Sequence, residues 1–294
     1  MSEYSNRTLL VVGASGRSGG LVAAELARRG HTVRALVRSE AAARTARANG
    51  VAEIACGDLR DPNSLKAALR GVDGVYHVGP PFLADEADLG VAMVEAARRA
   101  GIRKLVFSSV IHPANGLANH ASKLPVEQAL LRSNLDYTIL YPATLFQNMA
   151  PAWKGIAETG VFAEPFSRAA RLARVDYRDV AEVAAEALTG ERLAYGSFEL
   201  AADGMHDRIE IAGIMSAVLG RSVEAAELTF EEWVAVAKPP LEGAQLAQLE
   251  RVFQSYTQFG SPGNSLTLRA ILGREPRTLR QFFTELSAPS RKAA

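Results

Sequence analysis

Three glycines, Gly13, Gly16 and Gly19, stand three residues apart in "LLVVGASGRSGG" (Leu9 to Gly20). An apolar β-rich run precedes them and an Ala-rich amphipathic run follows. This arrangement constrains the chain more than any other feature, because it prescribes a strand, a tight turn and a helix that starts against the strand end. The pattern that begins there continues. "TLLVVG" (Thr8 to Gly13), "TVRALV" (Thr32 to Val37), "AEIAC" (Ala52 to Cys56), "GVYHV" (Gly74 to Val78), "KLVFSS" (Lys104 to Ser109) and "YTILYP" (Tyr137 to Pro142) read as six strands. Helical periodicity falls between them, at about 18–29, 39–49, 62–70, 85–100 and 122–133. Alternation of this kind predicts an α/β fold, a doubly wound parallel sheet of the Rossmann type.

Beyond Pro142 the alternation weakens. Residues 149–174 are richer in Pro, Gly and aromatics, and "VDYRDVAEVAAEALTG" (Val175 to Gly190) reads as a loop and helix with Asp176 or Asp179 as N-cap. "SFELA" can return one strand to the sheet. Helices are predicted at Arg208 to Leu219, stopped by Gly220, at Phe230 to Ala237, stopped by Pro239 and Pro240, and near Thr278 to Leu286. The expected organisation is a nucleotide-binding domain over 1–150, with 175–202 returning to it. A small C-terminal substrate or cap domain is expected over 151–174 and 203–294.

A pyrophosphate requires close backbone approach and a helix N-terminus, which glycines permit because no Cβ intrudes. Gly13, Ser15, Gly16, Arg17 and Gly19 are therefore the candidate dinucleotide cradle. The second strand ends "ALVRS", with Arg38 and Ser39 and no carboxylate between Val33 and Ser39, while Arg17 lies in the turn. Guanidinium groups suit a 2′-phosphate, so the expected cofactor is NADP rather than NAD. Asp58, Leu59, Val78, Gly79, Pro80, Ser108 and Pro142 fall at carboxyl ends of strands, where ligands of such sheets bind, and complete the candidate cofactor contacts.

"GASGRSGG", "VRALVRS", "GDLRDPNSL", "VFSSV", Lys123 and "YPATLFQNM" together resemble the NmrA-like family of atypical short-chain dehydrogenases/reductases. "GRSV" and "LGREP" extend the likeness toward the C-terminus. The resemblance implies that Gly13, Ser15, Gly16 and Arg17 line the phosphates and that Arg38 reads the 2′-phosphate. It places Asp58 and Leu59 at adenine, Val78 to Pro80 at the adjacent ribose and Lys123 at the nicotinamide ribose. It also implies one of two functions, since the family holds reductases of quinones, enones and ethers alongside silent sensors of nicotinamide redox state.

The departure from the wider superfamily lies four residues before Lys123, where a Tyr ordinarily exchanges the proton and this chain has Asn119. An amide does not serve as an acid near neutral pH. His120 and His112 are the candidate substitutes, as imidazoles titrate near pH 6.5. The catalytic candidates are thus Lys123, His120 and His112. Phe146, Asn148 and Trp153, following the sixth strand, are the candidate substrate contacts, with aromatics for flat apolar area and an amide for direction. The expected activity is NADPH-dependent reduction of an activated conjugated small molecule of quinone or enone type; the alternative is a non-catalytic NADP(H)-binding redox sensor.

The remaining composition narrows the partners. With 33 Lys+Arg against 32 Asp+Glu the formal charge is +1, so neither nucleic acid nor an anionic membrane is expected as partner. Cys56 is the single cysteine, which excludes an internal disulfide framework and a Cys-rich metal site and suits a reducing compartment. It is expected to be a buried structural thiol. "MSEYSNR" is polar and no stretch is apolar for the roughly 18 residues of a membrane helix. A cytoplasmic protein with a small-molecule substrate and no metal is expected, with oligomerisation left open.

Overall fold

The structure, a computed structural model, describes residues 6–288. Its first half alternates strand and helix: β1 Thr8–Val12, α1 Arg17–Arg28, β2 Thr32–Val37, α2 Glu40–Ala48, β3 Glu53–Cys56 and α3 Pro62–Ala68. β4 Gly74–Val78, α4 Glu86–Arg99, β5 Lys104–Ser108, α5 Ala118–Ala121, α6 Leu124–Leu131 and β6 Asp136–Pro142 follow. The six strands pair in parallel, and the strand Gly196–Leu200 joins the β6 edge. The sheet order runs from Gly196–Leu200 through β6, β5, β4, β1 and β2 to β3. Strand order therefore reverses between β1 and β4, where the crevice of a doubly wound sheet opens.

Contacts divide the chain into two compact units. The first is the chain up to Pro142 together with Tyr177–Glu199. Its boundary falls eight residues before the expected position 150, because Phe146 and Met149 are buried in the apolar cluster of the second unit. One face of the first unit's sheet is covered by α3, α4 and α6, with Leu10, Val75, Leu105, Phe107 and Ile139 meeting Leu65, Met93, Val94, Val126 and Leu130. On α1 packs the helix Tyr177–Thr189, whose buried positions are mostly Ala and Val, side chains short enough for close helix approach.

The second unit comprises Ala143–Asp176 and the chain from Leu200. Its strand Leu172–Val175 lies between Thr144–Leu145, parallel, and Met205–His206, antiparallel. Its helices Arg208–Leu219, Phe230–Ala237 and Leu279–Ser287 each begin with a capping box, from Asp207 to Glu210, Thr229 to Glu232 and Thr278 to Gln281. The core of this unit gathers Phe146, Trp153, Ile156, Phe162, Ile211, Met215, Phe282 and Phe283. No helix among the described residues is long and apolar enough to cross a membrane.

Two glycines of opposite standing test this packing. A methyl group on Gly19 would overlap the carbonyl oxygen of Gly13, backbone that cannot swing aside. Gly155 is exposed inside a helix with nothing within 4 Å of a added Cβ. Urea unfolding should show Gly19→Ala destabilised by about 1–3 kcal/mol through overpacking. Gly155→Ala should be stabilised by about 0.5–1 kcal/mol through backbone entropy. Equal effects at the two positions would contradict the close approach of α1 to β1.

Candidate active site

The glycine turn follows from the close approach of three backbones. Gly13 has φ +80°, and a Cβ there would stand 2.8 Å from Val78 Cγ1 at the end of β4. Gly16 donates its N–H to the Gly13 carbonyl at 2.8 Å and then serves as N-cap of α1, with no side chain capping the first turn. The N-terminal amides of α1 thus meet a surface of bare backbone, which fits a phosphate group. Arg17 and Arg38 are exposed, while Ser15 is partly buried. Ser39 Oγ accepts the Ala42 N–H at 3.2 Å and so caps α2. Asp58 Oδ1 accepts the Arg60 N–H at 2.8 Å, and Leu59 packs on the core cluster. This donor set, with Arg17 opening α1, Arg38 following β2 and no carboxylate between Val33 and Ser39, fits a dinucleotide bearing a 2′-phosphate.

Lys123 is buried and its Nζ forms an ion pair with Glu86 Oε1, whose side chain is 2% exposed. Nζ also donates to the Asn119 carbonyl at 3.2 Å, and Ser122 Oγ donates to Glu86 Oε2 at 3.1 Å. Gly79 makes room for this carboxylate, since a Cβ there would lie 2.7 Å from Glu86 Oε1. Asn119 therefore contributes backbone to the site. Sequence reasoning missed Glu86, because in "DEADLG" nothing separates it from the neighbouring acids that favour a helix start.

His120 is buried, with Nδ1 3.2 Å from the His112 carbonyl and 3.1 Å from Asn115 Nδ2. Burial, together with the Lys123 charge, lowers its pKa, although the His112 carbonyl acts the other way. His120 thus holds the 112–115 loop and is mainly neutral at pH 7. His112 has φ 56°, a left-handed conformation that a non-glycine residue adopts only when its surroundings impose it. His77 is also buried, stacked on Phe107 at 5.7 Å between ring centroids, and neither of its nitrogens has a hydrogen-bond partner among the described residues.

The hydroxyls at the strand ends point into the fold. Ser108 Oγ lies 2.9 Å from the Tyr177 hydroxyl, which is 2.6 Å from the Tyr76 hydroxyl, and all three residues are buried. Ser109 donates to Glu127 Oε1 at 2.5 Å and Tyr141 to Glu127 Oε2 at 3.0 Å. Burial and the Glu127 charge push the Tyr141 pKa up to about 12. The Pro142 carbonyl accepts the Ile111 N–H at 3.1 Å and so anchors the loop after β5. Tyr76, Tyr177 and Glu127 carried no motif in the sequence; only the fold brings them to these serines.

In the second unit, Phe146 packs on Phe282 and Trp153 stacks on Phe283 at 5.2 Å, both buried in the core. Asn148 is exposed. The structure therefore spends the two aromatics on packing and leaves Asn148 at the surface. Cys56 corrects another expectation. It is exposed at the end of β3, the edge strand, where a side chain has a neighbouring strand on one side only.

A parallel sheet, a glycine turn without a capping side chain and exposed guanidiniums at the start of α1 and after β2 define a dinucleotide-binding Rossmann protein. The model of the NmrA-like family matches residues 5–286, and the chain belongs to that family. It is 30% identical over 281 residues to the NAD(P)H azoreductase of Xenophilus azovorans, covering 93% of this chain and 96% of that one. It is 32% identical over 286 residues to the (4-alkanoyl-5-oxo-2,5-dihydrofuran-3-yl)methyl phosphate reductase of Streptomyces griseus, covering 94% and 97%. The NADPH-dependent quinone oxidoreductase of Escherichia coli, solved with NADPH, has the same fold at a TM-score of 0.80 and 22% identity, over 95% of this chain and 99% of that one.

Removing Lys123 alone leaves the Glu86 carboxylate buried without its cation. Lys123→Ala should therefore cost about 3–5 kcal/mol in urea unfolding, whereas the Glu86→Gln/Lys123→Met double variant should lose far less. Similar losses in both would place the ion pair at no more than surface strength.

His77 generates a pH dependence of stability. Burial, with a smaller contribution from Lys123, lowers its pKa from 6.5 to about 4. The unfolded chain then binds more protons in that window, so the contribution is complete above pH 6.5 and is lost as pH falls toward 4. The loss amounts to about 3 kcal/mol. Melting curves between pH 7 and 4.5 should show a shallower decline for His77→Phe than for the wild type; parallel declines would assign the acid sensitivity elsewhere.

Proposed function

We propose that this chain is an NADPH-dependent reductase whose acceptor is a conjugated small molecule of quinone or enone type. The observation that carries the reading is the join of a glycine cradle to a buried Lys123–Glu86 pair with an amide, Asn119, in place of a phenol. The names of the two curated relatives support it, since an azo group and an unsaturated 5-oxo-dihydrofuran are both conjugated acceptors.

When bound, NADPH supplies a hydride. The chain's own residues bind and orient. The amides around Gly13, Gly16 and Gly19 hold the pyrophosphate, Arg38 and Arg17 pair with the 2′-phosphate, and Lys123 holds the nicotinamide ribose with its ammonium fixed by Glu86. An isolated ketone needs an acid or an oxyanion hole to receive full alkoxide charge. Asn119 offers no proton, and burial lowers the His120 pKa, which disfavours its protonated form. A quinone or enone delocalises the incoming charge and takes its proton from water afterwards, so this site suits such acceptors.

Titration should give NADPH an affinity on the order of tenfold above NADH, lost in Arg38→Ala, as charge-assisted hydrogen bonds contribute about 1.5–3 kcal/mol each. NADPH oxidation should proceed with at least one quinone or enone and be slight with unactivated ketones, and Asn119→Tyr should rescue the ketones only in part. Robust turnover of simple ketones by the wild type refutes the acceptor class. Tight NADPH binding without oxidation of any acceptor favours the sensor.

A further inference from the structure

Asn49 stands at the C-terminal end of α2, but the backbone does not call for an asparagine there. Its own φ is −89°, and the left-handed turn that stops the helix is taken by Gly50 at φ +84°. The side chain is engaged elsewhere. Asn49 Nδ2 donates to the carbonyl of Ala14, in the dinucleotide turn, at 3.0 Å. Ala14 is fully buried, so its carbonyl needs a partner from within the fold. Gly20 leaves the space for that contact: a Cβ there would stand 2.5 Å from Asn49 Nδ2 and 3.3 Å from the Ala14 carbonyl oxygen.

Ala14 is the second residue of the turn that the Gly16 N–H closes on the Gly13 carbonyl. The middle peptide of such a turn, here Ala14–Ser15, has two orientations related by a half-rotation. In a trans peptide the carbonyl and the N–H point in opposite directions. With the Ala14 carbonyl drawn toward Asn49, the Ser15 N–H is directed away from it, and no acceptor takes that N–H among the described residues. The reverse orientation requires a positive φ at Ser15, which a side chain disfavours and which Ser15 does not have. That rotation would put a carbonyl oxygen where the N–H stood, and an anion would meet repulsion in place of a donor.

We propose that Asn49 is a positioning residue of the dinucleotide site, which holds the Ala14–Ser15 peptide so that the Ser15 N–H serves the pyrophosphate. The proposal rests on the glycine turn as the pyrophosphate cradle. It holds for any acceptor and for none, because binding is measured without turnover.

NADPH and adenosine 2′-monophosphate are the two probes, titrated by calorimetry into the full chain. Both carry the 2′-phosphate, and only NADPH carries a pyrophosphate. Asn49→Ala and Asn49→Leu remove the donor and should weaken NADPH about three- to tenfold, as expected for one hydrogen bond, with adenosine 2′-monophosphate bound as in the wild type. Gly20→Ala pushes the amide off the carbonyl and should produce the same selective loss. In the Asn49→Ala background Gly20→Ala should add little, because the two substitutions break one contact.

Equal weakening of both probes by Asn49→Ala makes Asn49 a structural residue and overturns the proposal, as does a lowered melting temperature with undiminished NADPH affinity. Fully additive losses from Asn49→Ala and Gly20→Ala overturn it too. A wild type that binds both probes equally tightly refutes the cradle and the proposal with it. Selective, Asn49-dependent NADPH binding with no acceptor oxidised supports the proposal and refutes the reductase reading alone. Should Asn49→Ala fail to fold, Asn49→Leu and Gly20→Ala decide by the same criteria.

Discussion

The ion pair of Glu86 with Lys123 is the interaction on which the candidate site depends. A carboxylate that is 2% exposed is tolerable only with its cation in contact and its second oxygen engaged, here by Ser122. The pair ties the first turn of α4 to the junction of α5 and α6, and Gly79 after β4 must lack a Cβ for the carboxylate to fit. Lys123 is therefore placed by a carboxylate from another helix. Asn119, four residues earlier, adds a backbone carbonyl and no acid.

Around that pair the first unit buries its other polar groups in closed sets. Ser108, Tyr76 and Tyr177 satisfy one another beneath the sheet end, and Ser109 and Tyr141 share Glu127. His120 is held to the loop that carries His112. These networks rigidify the loops after β4 and β5, because a hydrogen-bonded group in a low-dielectric interior is costly to release. The second unit buries two guanidiniums, those of Arg174 and Arg208. Arg208 is served by two carbonyls and faces Phe166 at 4.5 Å, and the Nε atoms of Arg208 and Arg174 are both buried without a hydrogen-bond partner among the described residues.

Much of the chain was legible before folding was considered. Gly13, Gly16 and Gly19, with alternating β-rich and Ala-rich runs, determined the parallel sheet, its six strands and the location of the cradle, because period and glycine spacing are local properties. The helices Arg208–Leu219 and Phe230–Ala237 were equally legible, marked by their periodicity and by the stops at Gly220 and Pro239. The helix Gly243–Phe259 was not. It buries only Val252 fully and carries no capping side chain, so neither a strong apolar stripe nor a start signal announces it.

What only the tertiary structure decided is which side chains meet. Phe146 and Trp153 read as substrate contacts, but the approach of Leu279–Ser287 turned them into core. Cys56 read as buried, but its strand lies at the sheet edge. Glu86, Tyr177 and Glu127 had no motif at all. Each acquires its role from a partner on an element distant in sequence. Burial and pairing are sums over such neighbours, whereas the turn at Gly13 is written in the residues that make it.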